Sequence, residues 1–167
     1  MNESLRALYQ QVILQHNARP QNFGTLPDAT HAATQHNPLC GDIVTVQLHL
    51  SPAVDSTRPA DAIIERLAFS GDSCALCRAS ASLMTQAVQG VRQAEVSVLA
   101  AALRRLIATP TAAVSVDKAA VSADDTSTGL GPLVALQGAR DFPSRQRCVL
   151  LPWDALLSAL LAGPPSQ

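Results

Sequence analysis

The chemistry-bearing residues of this chain are its four cysteines and one aspartate set beside the first of them. Cys40 and Asp42 lie in Asn37-Pro38-Leu39-Cys40-Gly41-Asp42, Cys74 follows Gly71-Asp72-Ser73, and Cys148 follows Arg145-Gln146-Arg147. Thiolates and carboxylates both ligate zinc, and thiolate-rich sites also suit iron–sulfur clusters. Cys40, Asp42, Cys74 and Cys148 are read as converging on one metal or sulfur site. In an extended segment, residues two apart project to one side, so Cys40 and Asp42 can face one point, with Gly41 permitting a turn or a close approach. Cys74 starts a predicted helix, where amide donors and the helix dipole favour a thiolate. Arg145 and Arg147 predict the same for Cys148. The plain alternative for each cysteine is a buried, inert residue acting as a small hydrophobe.

Cys77 completes Cys74-Ala75-Leu76-Cys77, a C-x-x-C string. Such a string suits a redox or zinc pair. No second C-x-x-C and no H-x-x-x-H accompanies it, so Cys77 reads as a packing residue or spare thiol. His16, His31, His36 and His49 show no zinc spacing. His36 is nearest to Cys40 and reads as structural or exposed; His16 reads as a solvated, dipole-compensating residue at a helix end. G-x-S-x-G, Gly-rich phosphate loops and H-E-x-x-H are absent from the sequence, which argues against hydrolase, nucleotide and metalloprotease chemistry.

The elements that must position these groups follow from periodicity. Residues 3–16 predict an amphipathic helix through Leu5, Leu8, Val12 and Ile13, stopping before Pro20. Pro20–Pro27 is a loop, and 31–37 a short strand. Residues 43–50 and 62–70 predict an antiparallel hairpin with a turn over 52–59. Small residues let a helix over 75–89 pack closely, and Gly90 stops it. Residues 95–108 predict a helix whose buried stripe is Val98, Leu99, Ala102, Leu103 and Leu106. Residues 109–128 read as mobile, 130–138 as a short helix, and 155–161 as the last helix, with Pro152 in its first turn and Cys148 opening the segment.

The 167 residues suffice for one domain with a real core. Net charge is −1 and aromatics are 3%, which leaves neither a phosphate-binding footprint nor a base-stacking platform, so no nucleic acid partner is expected. Neither a signal-peptide pattern nor an apolar run of about 18 residues is present, so no membrane association and a cytoplasmic location are expected. Four cysteines in such a compartment point to metal or reactive thiols before disulfides.

Ordered motifs across residues 5 to 157 resemble the U-type iron–sulfur cluster assembly family (IscU, the NifU N-terminal domain, SufU). Leu8 to His16 with Pro20-Gln21-Asn22-Phe23-Gly24 resembles its opening helix and loop. Asn37 to Asp42 matches N-P-x-C-G-D, Phe69 to Met84 resembles its central segment, and Leu136 to Leu156 its ending. A lengthened stretch between Gly90 and Cys148, with Arg145 where the IscU branch carries a histidine, resembles the SufU branch. The resemblance implies an α+β fold, a small antiparallel sheet of about three strands packed against several helices. It implies one domain over 1–163, a subfamily insertion at about 91–144 and a tail at 164–167. It further implies zinc held by Cys40, Asp42, Cys74 and Cys148, and a SufS-type cysteine desulfurase as partner, with downstream iron–sulfur assembly proteins after it. Cys40 would be the sulfur acceptor, displaced from zinc by a desulfurase residue. The protein would be a sulfurtransferase-like acceptor rather than a classical enzyme. The alternatives are a scaffold building a [2Fe–2S] cluster, or holding iron, on the same four residues, and a structural zinc protein. Cys77 departs from the family, which usually has a serine there; Pro152 departs too, and predicts a late start for the final helix.

Overall fold

The computed structural model describes residues 3–52, 59–108 and 129–162. The predicted turn over 52–59, the 109–128 segment and the 164–167 tail lie wholly or mostly outside the described residues. The elements run α1 (Glu3–Ala18), β1 (His31–Asn37), β2 (Asp42–Leu50), a 3-10 turn (Pro59–Asp61), β3 (Ile64–Ser70), α2 (Ala75–Val88) and α3 (Gln93–Ala108). A 3-10 helix (Gly131–Ala139) and α4 (Pro143–Ala162) follow. The architecture is α+β, as the sequence predicts.

The three strands form one antiparallel sheet in the order β1-β2-β3. Asn37 pairs with Asp42 at the β1–β2 turn, and Val46 pairs with Phe69 across β2 and β3. Alternation along β2 sends Val44, Val46 and Leu48 inward, all at most 1% exposed. Helices α2 and α4 cover that inner face: α4 packs on β1 and β2, α2 on β3 and on α4, and α1 on α2. The loop after α1 runs beside the free edge of β3. Gly24 N–H donates to the Phe69 carbonyl at 2.8 Å and Phe69 N–H to the Asn22 carbonyl at 3.0 Å, which occupies an edge that would otherwise invite pairing.

Three expectations are corrected. The buried stripe of α3 is Val96, Ala100, Leu103 and Ile107, whereas Val98 is 65% exposed. Leu103 of the predicted stripe is buried and Leu99, Ala102 and Leu106 pack against the core, so Val98 alone is misplaced, because a Leu- and Ala-rich helix offers more than one apolar face. The last helix starts earlier than predicted. Pro143 takes its first position, where the missing N–H costs nothing, and Pro152 lies inside it. Cys148 therefore sits in the second turn of α4 rather than opening a segment. Leu8, expected on the buried face of α1, is exposed; Val12 packs against the core.

Candidate metal centre

The first wall of the site is the β1–β2 turn. Asn37 is buried and ties the turn together. Its carbonyl accepts the N–H of Gly41 at 2.8 Å and of Cys40 at 3.3 Å, and its Oδ1 accepts the Leu39 N–H at 3.2 Å. That Asx-type turn suits an Asn-Pro start, and Gly41 closes it at φ +76°. Cys40 and Asp42 thus meet through the turn, not through strand alternation as the sequence reading supposed. Cys40 belongs to the turn, and Asp42 is the first residue of β2.

The second wall is the loop from Gly71 to Cys74. The Ile43 N–H donates to the Asp72 carbonyl at 2.8 Å. This close crossing works only because residue 71 is glycine: a Cβ there would lie 2.1 Å from the Ile43 carbonyl oxygen, and its φ is +127°. The crossing delivers the Cys74 N–H to Asp42 Oδ1 at 2.7 Å. Cys74 is the N-cap of α2, its sulfur accepting the Cys77 N–H at 3.4 Å.

The third wall is α4. Ser80 of α2, fully buried, donates its hydroxyl to the Val149 carbonyl at 2.7 Å, which sets the height of α4 against α2. Cys148 then faces the turn, with its sulfur 3.8 Å from Cys40 Sγ and 4.0 Å from the donating Asn37 Nδ2.

The ligand atoms of Cys40, Asp42 and Cys148 all lie within 4.8 Å of one another. Cys74 joins this group through its backbone N–H on Asp42, and its thiol interacts with Asp42 and Cys148 although its sulfur is not one of the three mutually closest ligand atoms. Cys40 and Cys74 are exposed; Cys77 and Cys148 are buried. Burial works against the Asp42 carboxylate, but the thiols of Cys40, Cys74 and Cys148 and the Cys74 N–H outweigh it, so its pKa lies below the ordinary value. The thiols go the other way from the sequence expectation. Burial pushes Cys74 up, against the Cys77 N–H, and Asp42 adds to the rise. Burial and the neighbouring Cys74 and Cys40 push Cys148 up strongly. Arg145, expected to favour the Cys148 thiolate, instead places its guanidinium 4.8 Å from the Phe142 ring centroid. Desolvation and mutual repulsion of thiolates exceed the helix-end and arginine effects when no cation is present.

The donor set fits a thiophilic cation. Asp42 is 4% exposed, and its Oδ2 is buried with no hydrogen-bond partner among the described residues. A buried, unpaired carboxylate oxygen costs about 1–3 kcal/mol or more. A divalent ion among Cys40, Asp42 and Cys148 would satisfy it and also neutralise the thiolates. Iron in a cluster would fit the same atoms, so the donors themselves do not choose the metal.

Other sequence candidates lie elsewhere. Cys77 is fully buried in the core behind Cys74. His36 is exposed on β1, and His49 pairs with Glu65 at 3.0 Å. His16 is not a solvated helix-end residue: its Nδ1 lies 2.7 Å from the buried Ser82 hydroxyl, and burial lowers its pKa. Asn37 and Gly71 are the positioning residues that the sequence reading did not single out. The Asn-Pro and Gly-Asp dipeptides were their signals.

Comparison with known proteins gives the family of the chain. The NifU-like N terminal domain family matches residues 8–149. A zinc-dependent sulfurtransferase SufU from Bacillus subtilis is 34% identical over 155 residues, covering 93% of this chain and 90% of that protein. An iron–sulfur cluster assembly scaffold protein IscU from Streptococcus pyogenes is 31% identical over 163 residues, covering 98% and 89%. The crystal structure of a NifU-like protein (N-terminal) from Brucella abortus shares the fold at a TM-score of 0.69, with 23% identity and 92% of each chain covered. The chain belongs to the U-type iron–sulfur cluster assembly family, as a NifU-like N-terminal domain.

Proposed function

We propose that this protein is a zinc-dependent sulfur acceptor and carrier in iron–sulfur cluster assembly, receiving persulfide sulfur from a SufS-type cysteine desulfurase in the cytoplasm. One observation carries the reading: Cys40, Asp42 and Cys148 converge within 4.8 Å around a buried, unpartnered Asp42 oxygen. Zinc would be held by Cys40, Asp42, Cys148 and Cys74, the last after a side-chain rotation at the N-cap. When bound, zinc keeps its thiol ligands deprotonated at neutral pH. The similarity to a SufU sulfurtransferase supports zinc and sulfur transfer as the branch-level reading. Residues 1–163 act as one domain, with the stretch at about 91–144 as its branch-specific insertion. Among the described residues no helix is long and apolar enough to cross a membrane.

Cys40 is the acceptor because it is the exposed thiol of the converged set. Its thiolate attacks the terminal sulfur of the desulfurase persulfide. The S–S bond breaks, its electron pair returns to the desulfurase thiolate, and Cys40 is left as a persulfide with no net oxidation. Asn37 holds Cys40 through its carbonyl, and Asp42 holds Cys74 through its carboxylate. Handing the sulfur to a downstream iron–sulfur assembly protein repeats the same exchange.

The test is incubation with a SufS-type desulfurase and cysteine, followed by mass analysis of the peptide bearing Cys40. A gain of one sulfur atom there, lost in Cys40→Ala, is the expected result; an unmodified Cys40 peptide overturns the reading and leaves a structural zinc protein. The scaffold reading, favoured by the similarity to IscU, uses the same four residues for a [2Fe–2S] cluster. Reconstitution with iron and sulfide separates the two: stable visible absorbance supports the scaffold, and colourless protein with one zinc per chain supports the carrier.

A further inference from the structure

Arg78 is the one charged side chain of α2, and it has no acidic partner among the described residues. Its N–H donates to the Cys74 carbonyl at 2.9 Å, which places it one helical turn beyond Cys74 on the same side of the helix. The side chain is half-buried, and its Nε is buried without a hydrogen-bond partner among the described residues. The guanidinium carbon lies 5.3 Å from the centroid of the Phe23 ring, within the ~6 Å at which an aromatic face attracts a cation. Phe23 is a fixed platform for it. The neighbouring Asn22 donates from Nδ2 to Thr85 Oγ1 of α2 at 3.0 Å, and Gly24 is bonded to β3. The Phe23 ring meets buried Phe69 edge-on, with centroids 5.3 Å apart and planes at 75°, yet it remains 48% exposed. Stacking occupies one face of a guanidinium and leaves its in-plane N–H groups for a carboxylate. Other exposed apolar side chains stand on the elements that carry the ligands: Leu39 beside Cys40, and Phe142 just before α4. Large exposed apolar groups mark a protein-contact surface, and arginine and aromatic residues are the types that anchor one.

We propose that the Arg78–Phe23 stack is a docking anchor for a carboxylate side chain of the sulfur donor, the cysteine desulfurase. This rests on the sulfur-acceptor reading for the identity of the donor. The argument is charge complementarity. A half-buried guanidinium with an unpaired donor carries a desolvation cost, and an incoming carboxylate recovers it through charge-assisted hydrogen bonds. The Phe23 ring holds the guanidinium in place beforehand, so little side-chain entropy is lost on binding. Arg78 does not touch the reacting sulfur. It is a positioning residue: it seats the donor beside the start of α2, where Cys74 is tied to Asp42, and leaves the exchange at Cys40 to the thiols. Its contribution is therefore to affinity and to the rate of encounter, not to the rate of sulfur transfer once the two proteins are together.

The test titrates the full-length protein with a SufS-type desulfurase and follows sulfur loading of Cys40 over a range of desulfurase concentrations. Arg78→Met keeps an apolar stem over Phe23 and removes the charge; it should raise Kd about tenfold and leave the plateau of Cys40 loading unchanged. Arg78→Glu should raise Kd further. Arg78→Lys should fall between wild type and Arg78→Met, because the charge stays and the planar fork is lost. The gap between wild type and Arg78→Met should narrow at high salt. Metal content and melting temperature of all three variants should match the wild type. Unchanged Kd in Arg78→Met and Arg78→Glu overturns the proposal. So does a rise in Kd that accompanies lost metal or a lowered melting temperature, which makes the stack structural only, or a defect confined to the hand-off to a downstream assembly protein. Should the desulfurase bind through Arg78 while Cys40 gains no sulfur, the acceptor reading fails and the anchor stands. A wild type that does not bind the desulfurase overturns both.

Discussion

The starts of α2 and α4 look alike in sequence and behave differently in the fold. Each presents a cysteine near a helix N-terminus, Cys74 after a Gly-Asp-Ser loop and Cys148 after two arginines. In the structure Cys74 is the N-cap, exposed and tied to Asp42 by its backbone. Cys148 lies a full turn inside α4, buried, with its sulfur against Cys40 and the Ser144 carbonyl at 3.7 Å. One residue is placed by its main chain and the other by its side chain. A cysteine near a helix start is therefore not one kind of site: its offset from the N-cap decides whether the sulfur faces solvent or a neighbouring element.

The strongest way to break this comparison is Gly71→Ala. A Cβ at 71 meets the Ile43 carbonyl oxygen at 2.1 Å. The loop must then retreat, Cys74 loses Asp42, and α4 is untouched. We expect a loss of about 3 kcal/mol in a denaturant titration, together with weakened metal binding. An unchanged midpoint would show that the crossing is not required.

Next come the ligands themselves. Asp42→Ala and Cys148→Ser should each lower zinc affinity by more than the 10–100-fold typical of outer-shell changes, measured by chelator competition. Unchanged metal content and thermal stability in both would mean that the set does not converge on an ion. Chelation of the wild type should lower its melting temperature, since binding energy at such sites is folding energy. Because Cys74 and Cys148 sit above their ordinary pKa in the metal-free fold, zinc must displace their protons at neutral pH. Affinity should therefore rise with pH, with proton release visible in weakly buffered titrations; a pH-independent affinity would contradict this.

Metal-free serine variants sharpen the contrast. Serine is a good N-cap, so Cys74→Ser should leave apo stability within about 0.5 kcal/mol. Cys148→Ser replaces a buried sulfur seated at 3.7–4.0 Å from Cys40, Asn37 and Ser144 with a shorter hydroxyl that underfills the site, and should cost about 1–2 kcal/mol. Equal effects in chemical denaturation would erase the distinction between the two helix starts.

The smallest effect lies where α1 meets α2, at His16 and Ser82. Burial lowers the His16 pKa, so its stabilising contribution is present above the ordinary value of 6.5 and is lost as pH falls through the lowered folded value. Stability should decline slightly over that acidic window, and His16→Gln should flatten the decline without altering either cysteine. An unchanged pH profile in the variant would place the effect elsewhere.

Much of the fold was legible because local chemistry and global packing agree. Alternation in Ile43–Leu50 marked β2, and Gly90, at φ +81°, marked the end of α2. One edge of the α3 stripe was not legible, since Val96 and Val98 are equally apolar and only contact with the core selects Val96. Nor was the start of α4, because Pro152 reads as a helix start when Pro143 already serves as one. The Cys40–Asp42 pairing was legible for the wrong reason: their spacing suggested a strand face, and the turn made by Asn37 and Gly41 brings them together.

By itself, the sequence determined which residues could bind metal or sulfur, that an α+β fold would carry them, and the family to which the chain belongs. Residue type and local period settle those matters within a few residues of the chain. Only the tertiary structure decided that Cys40, Asp42 and Cys148 form the close set, that the Cys74 amide is tied to Asp42, and that Cys77 is buried in the core. Those outcomes depend on the crossing at Gly71 and on the seating of α4 by Ser80, contacts between segments 28 and 69 residues apart in the chain. Burial among those segments, not the neighbouring arginines, is also what sets the protonation of the thiols.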